Sequence, residues 1–220
     1  PAWEPTSVVT QGWWTGTPSD KSDRNALQTF ENQCNKKIDD CNALTKTIAN
    51  PEQNIYFADV CAAVDKDSML YDGCHPNATG LNKIAAAYAD VIKSIYTQSS
   101  DDLHIMCLGD SITDASLCGL ADANNENYPK QLENMLKGDY NSVSVIKNGQ
   151  NSQQIPGFAD RISGINSDTD IVCVLGGTND IHQNGGQSKE EIKSRLETLF
   201  SKIKEKNNNV IIIFGSIPHF

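Results

Sequence analysis

The chain has 220 residues, 38% of them hydrophobic and 21% charged, and a formal net charge of −10. That length fits one domain with a proper core. The acidity speaks against nucleic acid or an anionic membrane as partner, because either would require approach to like charge without a basic patch, and no apolar run nears the ~20 residues of a membrane span.

In chain order, residues 1–23 are rich in Trp, Thr, Gly, Pro and Ser without periodicity, which predicts an ordered loop in which Trp3, Trp13 and Trp14 find packing partners. From Arg24 the pattern changes. Leu27, Phe30, Cys34, Ile38, Cys41, Leu44 and Ile48 recur at intervals of three and four, predicting a long amphipathic helix that ends before Asn50-Pro51. Asn54 to Val60 predicts a short strand. After a loop carrying Asp72 and His75, the positions Leu81, Ile84, Ala85, Tyr88, Val91, Ile92 and Ile95 form a helical stripe. Thr97 to Asp102 is a polar connector into His104–Leu108, an apolar run that stops abruptly at Gly109-Asp110-Ser111 and predicts a strand feeding a turn and a helix start. Further on, Tyr128, Leu132, Met135 and Leu136 mark a helix, Val143 to Lys147 and Ile171 to Leu175 two strands. Ile192, Leu196, Leu199, Phe200 and Ile203 mark another helix, and Val210 to Ile217 a last strand. Five strands alternating with helices imply one α/β domain, a parallel sheet covered on both faces.

Seven cysteines and the acceptor pattern Asn77-Ala78-Thr79 favour an extracellular setting. Pro1 to Thr10 lack the cationic start and apolar core of a signal peptide, so any such signal is expected outside this sequence. An odd count leaves at least one thiol unpaired. Cys61 and Cys74 bracket a short loop whose closure would be worth about 3 kcal/mol, and they are the expected bridge, with two unconnected thiols as the alternative. Cys107 and Cys173 fall in strand-like runs and read as small buried hydrophobes. Cys34 and Cys41 lie two helical turns apart, roughly 10 Å, too far to bridge.

Ser111 at the carboxyl end of a strand places a hydroxyl where open α/β sheets bind ligands. Alone it reads equally well as a helix cap. A serine nucleophile needs a base within hydrogen-bond reach, itself oriented by a third group. Of the four histidines, His75 best fits: Asp72, three residues earlier, can curl back to its ring, and Gly73 and Pro76 suggest a shaped turn. Two more runs, Asn148-Gly149-Gln150-Asn151 and Gly176-Gly177-Thr178-Asn179-Asp180, each follow a predicted strand. Asp110 and Asp180 read as structural, holding loop backbone. No metal-ligand spacing, phosphate loop, dinucleotide fingerprint or Gly-x-Ser-x-Gly elbow is present, so no metal or cofactor is expected.

Together Asp72-Gly73-Cys74-His75, Gly109-Asp110-Ser111-Ile112-Thr113, Asn148-Gly149 and Gly177-Thr178-Asn179-Asp180 resemble the four blocks of the SGNH (GDSL-like) hydrolase family, over nearly the whole chain. The resemblance implies a three-layer αβα flavodoxin-like fold with a five-stranded parallel sheet. It implies Ser111 as nucleophile, His75 as base and Asp72 as its orienter. The oxyanion donors would be the backbone N–H groups of Ser111 and Gly149 and the side-chain amide of Asn179. Many members carry another glycine three residues after the first, where this chain has Ser152. The block order is also rotated, since in the family the serine block comes first, whereas here His75 precedes Ser111. The expectation is a circularly permuted single domain: residues 1–96 hold the usual C-terminal part, 97–102 the connector and 103–220 the usual N-terminal part. It would be a monomer with Phe220 close to Pro1, with a domain-swapped assembly or tandem copies in a longer precursor as alternatives.

Among relatives the sequence looks most like secreted carbohydrate esterases that remove acetyl groups from plant polysaccharides such as xylan. A lipase- or lysophospholipase-like esterase and a non-catalytic carbohydrate-binding or scaffold module are the alternatives. Undoing the rotation brings Trp13 and Trp14 to the catalytic edge, where they would stack on sugar rings or merely pin the loop down.

Overall fold

The computed structural model describes residues 16–97 and 102–219. Trp13, Trp14, both chain ends and most of the expected connector lie outside the described residues. The elements, in order, are α1 (Arg24–Thr45), β1 (Ile55–Ala58), α2 (Val60–Ala63), α3 (Ala78–Ile95), β2 (Asp102–Gly109), α4 (Ser111–Asp114) and α5 (Tyr128–Leu136). They continue with β3 (Ser142–Gly149), α6 (Ile155–Phe158), β4 (Ile171–Leu175), α7 (Thr178–His182), α8 (Lys189–Lys206) and β5 (Ile211–Gly215). Asp23 caps α1 by accepting from the Ala26 N–H, and the predicted stripe is buried through Leu27, Cys34, Ile38 and Cys41. The helix stops at Thr45, and Ile48 falls in a separate 3₁₀ turn, Lys46–Ile48. Asn77 caps α3: its Oδ1 accepts from Gly80 N–H and its amide donates to Ser68 O.

All four strand pairings are parallel, in the order β1-β5-β4-β2-β3. Counted from β2, with β1 taken last, this is the doubly wound order 2-1-3-4-5, and the order reverses between β2 and β4. Along β4 successive side chains alternate between faces. Val172 and Val174 join one buried cluster with Leu27 and Ile38 of α1 and Leu196 and Phe200 of α8. Ile171, Cys173 and Leu175 join the other with Leu81 and Tyr88 of α3 and Leu132 of α5. These are the two outer layers of an αβα sandwich. Each fully buried aliphatic or aromatic side chain contributes about 1.5–3 kcal/mol. Tyr88, wholly buried, stacks on Tyr128 and donates its hydroxyl to Val174 O at 2.8 Å, which satisfies the polar atom that burial would otherwise strand.

The expected Cys61–Cys74 bridge is absent, and all seven cysteines are free thiols. The two thiols have different surroundings. Cys61 faces α1 and the segment after β5, where Asn42 and His219 bond its sulfur. Cys74 is turned inward, toward Asp110 and Cys118. Loop length permitted the bridge, but each sulfur keeps its own set of neighbours.

Candidate active site

The strand β2 delivers Ser111 to the sheet edge at the point where the strand order reverses. Gly109 is required there, since a Cβ would stand 2.0 Å from Thr113 Oγ1 and 2.4 Å from Leu175 O. Asp110 then caps α4, its Oδ1 accepting from Ile112 N–H at 3.0 Å, so Ser111 is the first residue of the helical turn. First-turn N–H groups have no intrahelical acceptor, which leaves that of Ser111 for a ligand.

The base arrives on the turn between α2 and α3. Asp72 Oδ1 accepts the backbone N–H of Cys74 at 3.0 Å and of His75 at 2.7 Å, Gly73 takes φ +83°, and Tyr71 N–H donates to His75 O at 2.7 Å. This local fold frees Asp72 Oδ2, which lies 2.8 Å from His75 Nδ1, and His75 Nε2 lies 3.0 Å from Ser111 Oγ. A carboxylate can only accept, so Nδ1 carries the ring proton and Nε2 is left to receive one from the serine. Burial pushes the Asp72 carboxyl up, but the His75 ring and the two backbone donors outweigh it, and Asp72 stays below its ordinary value. The structure thus brings Ser111, His75 and Asp72 into one relay.

Behind the serine, burial pushes the Asp110 carboxyl up to about 7, although it accepts from Ile112 N–H; its Oδ2 has no hydrogen-bond partner among the described residues. Asp180, also buried, bonds the Arg195 guanidinium at 2.7 Å and Ile155 N–H at 3.0 Å. Both carboxylates hold backbone, as the sequence suggested.

A cavity of about 720 Å³ opens over Ser111 and His75; Asn179, His182, Ser152 and Tyr71 are among the residues around it. A second cavity, of about 790 Å³, lies at the opposite edge of the sheet, between Asn50–Ile55 and Asn208–Asn209, and has no part of the relay. Asn179 donates from its amide to Gln153 O at 3.1 Å and accepts from Gln183 at 2.8 Å, which leaves one N–H of the amide.

Gly149 departs from its expected place. It does not line the cavity, and a Cβ there would stand 2.1 Å from Asp114 N, so the glycine lets β3 pack against the backbone of α4. Gln150 N–H donates to Gly109 O on β2, and by strand alternation the N–H of Gly149 points off the outer edge of the sheet. The residue of this loop that borders the cavity is Ser152, at φ +59°, a left-handed backbone rare outside glycine. The sequence carried one signal for it: Ser152 occupies the place of the second glycine.

Three further groups were missed. Arg161 ties the strand ends to the Ser152 loop, donating to Gly109 O at 2.8 Å, Asn148 Oδ1 at 2.9 Å and Gln153 Oε1 at 2.8 Å. Tyr71 and Leu117, 61% and 44% exposed, stand at the cavity. His182, on α7, is held neutral by burial, which with Lys37 pushes it down to about 2.

Solved structures similar to this chain include a possible lipase from Chitinophaga pinensis DSM 2588, at 24% identity over 51% of this chain and 47% of that one, with a TM-score of 0.38. A member of the lipolytic protein G-D-S-L family from Veillonella parvula DSM 2008 is 19% identical over 51% of this chain and 57% of that one, TM-score 0.41. AlinE4, an SGNH-hydrolase family esterase, is 22% identical over 52% and 58%, TM-score 0.42. The chain spans about half the length of these proteins. No curated protein matches it. The model of the GDSL-like lipase/acylhydrolase family matches residues 107–220, more than half of the sequence, and the chain belongs to that family.

Proposed function

We propose that the protein is an extracellular serine esterase that removes acetyl groups from plant cell-wall polysaccharide such as acetylated xylan. The observation that carries the esterase reading is the relay: Asp72 to His75 at 2.8 Å and His75 to Ser111 at 3.0 Å, at the mouth of a cavity. Ser111 Oγ forms a bond to the ester carbonyl carbon while its proton passes to His75 Nε2, and Asp72 holds the resulting imidazolium. The oxyanion is met by the N–H groups of Ser111 and Ser152 and by the Asn179 amide, Ser152 replacing Gly149 in this role. Collapse expels the sugar hydroxyl, which takes the proton from His75, and water then releases acetate by the same path.

The substrate assignment rests on family resemblance and on the cavity's surroundings. Tyr71 exposes a ring face suited to a sugar, and Ser116, Thr178 and Gln183 offer hydroxyl and amide groups beside it. Trp13 and Trp14 are proposed to extend this surface. Hydrolysis of a chromogenic acetyl ester that vanishes in Ser111→Ala and His75→Ala tests the chemistry. Faster release of acetate from acetylated xylan than of long-chain acids from lipid esters tests the substrate, and the reverse preference would overturn it.

We further propose one permuted, monomeric domain, with residues 97–102 as connector. Supporting this are the 2-1-3-4-5 order obtained when β1 is counted last and a family match confined to residues 107–220, downstream of Asp72 and His75. Co-refolding Ser111→Ala with His75→Ala should give no activity, whereas recovery would mean sites shared between chains.

A further inference from the structure

Away from the cavity, Asp39 of α1, Cys61 of α2 and His219 beyond β5 converge. One donor atom from each, a carboxylate oxygen, the thiol sulfur and a ring nitrogen, lies within 4.8 Å of the other two, the one such group among the described residues. His219 Nε2 and Asp39 Oδ1 are 2.7 Å apart. The frame around them is tied down. Cys61 N–H donates to Ser216 Oγ at 2.8 Å, and Asn42 brackets Ile217, accepting its N–H at 2.8 Å and donating to its carbonyl at 2.9 Å. The charges acting on Cys61 are the carboxylates of Asp39 and Asp59. A half-buried thiol, an imidazole and a carboxylate thus meet in one place.

We propose that Asp39, Cys61 and His219 form a binding site for a zinc-type divalent cation that clasps the segment after β5 to α1 and α2. Thiolate, imidazole and carboxylate together suit a borderline-soft ion, with the fourth tetrahedral position left to water. On binding, the S–H bond breaks, the sulfur–metal bond forms and the proton leaves to solvent; the His219–Asp39 hydrogen bond gives way to two metal bonds, and the neutral ring carries its one proton on Nδ1 in place of Nε2. Affinity therefore rises with pH, and because the three ligands meet only in the folded chain, the ion stabilises the fold.

The test uses the whole chain, stripped of metal. Titration with Co²⁺ should raise a thiolate-to-cobalt charge-transfer band that Zn²⁺ abolishes, and Zn²⁺ should raise the melting temperature. Both effects should disappear in Cys61→Ser and in His219→Ala, the second a surface change that leaves the core intact. Asp39→Asn should weaken binding by at least the roughly tenfold that an outer-shell partner costs. Hydrolysis of the chromogenic ester by the stripped variants should match that of the stripped parent. No band, a band that survives Cys61→Ser, or a melting temperature indifferent to Zn²⁺ would overturn the site.

Discussion

Adding one methyl group at Gly149 tests how the nucleophile is held in place. The new Cβ would stand 2.1 Å from Asp114 N and 2.6 Å from both Asp114 Cα and the Thr113 carbonyl carbon. Ordinary contact begins at 3.4 Å, so 3.4 less 2.1 leaves 1.3 Å to be found between two stretches of backbone. Neither yields easily. β3 is registered on β2 through Gly109 and Gly149, and Asp114 N–H closes the turn of α4 on Asp110 O at 3.0 Å. Overpacking of this kind costs about 1–3 kcal/mol, a fall of about 2–4 °C in melting temperature for each kcal/mol in a chain of this size. If α4 absorbs the shift, Ser111 moves with it, and a displacement of ~1 Å from His75 costs about a hundredfold in turnover. The assay is thermal melting of Gly149→Ala alongside steady-state hydrolysis of a chromogenic acetyl ester. Ser152→Gly, which keeps the N–H and suits the left-handed backbone, should stay near the parent in both. A Gly149→Ala protein with parental melting and turnover would refute the argument that β3 presses on α4.

Asn179→Ala should lower kcat by about 10²–10³ with little change in KM, since an oxyanion donor acts mainly in the transition state; a pure KM effect would place the amide in ground-state binding. Arg161→Met should lower both stability, by about 1–3 kcal/mol for stranded acceptors, and kcat, and Arg161→Lys should not rescue kcat, because an ammonium cannot reach Gly109 O, Asn148 Oδ1 and Gln153 Oε1 together. Rescue by lysine would reduce its role to charge. Asp110 titrates at about 7 when folded against an ordinary value of 3.8, so the folded chain binds the extra proton between those values and stability falls as pH rises through that window. Asp110→Asn keeps the acceptor for Ile112 N–H and should flatten melting temperature between about pH 4 and 7 relative to the parent; an unchanged slope would count against burial as the cause.

The elements legible in the sequence were those whose burial repeats with a period. The stripe from Leu81 to Ile95 became α3, and Leu27 to Cys41 became the inner face of α1. The Asp72–His75 pair was legible because it is a local turn, three residues closed by their own backbone donors. Ser152 was not, because which N–H of a loop faces a cavity depends on the register of β3 against β2, which no local pattern encodes. Arg161 sits in an irregular segment and reaches strand ends remote in sequence. The same limit explains the cysteines. The separation of Cys61 and Cys74 set the loop length but not the direction of either side chain, and the neighbours of Cys61, Asp39 and His219, come from opposite ends of the chain.

The relay's geometry depends on contacts across the sheet more than on the route of the chain. The turn bearing His75 is fixed from within, by Asp72 Oδ1 and by Asn77 N–H donating to Met69 O at 2.8 Å, and it is mounted on α3. That piece joins the rest through two surfaces. β1 pairs with β5 from Ile55 opposite Ile212 to Ala58 opposite Gly215, and α3 lays Leu81, Ile84 and Tyr88 against Ile105, Cys107 and Cys173. Ser111 is fixed from within the other piece, by Asp110, Gly109 and the fit of Gly149 against α4. Ladder hydrogen bonds and apolar burial, which do not depend on which ends are linked, therefore set the 3.0 Å between His75 Nε2 and Ser111 Oγ. A site assembled in this way would tolerate the rotated block order proposed above, because the groups that do the chemistry are held by the sheet ladder and the apolar faces on either side of it.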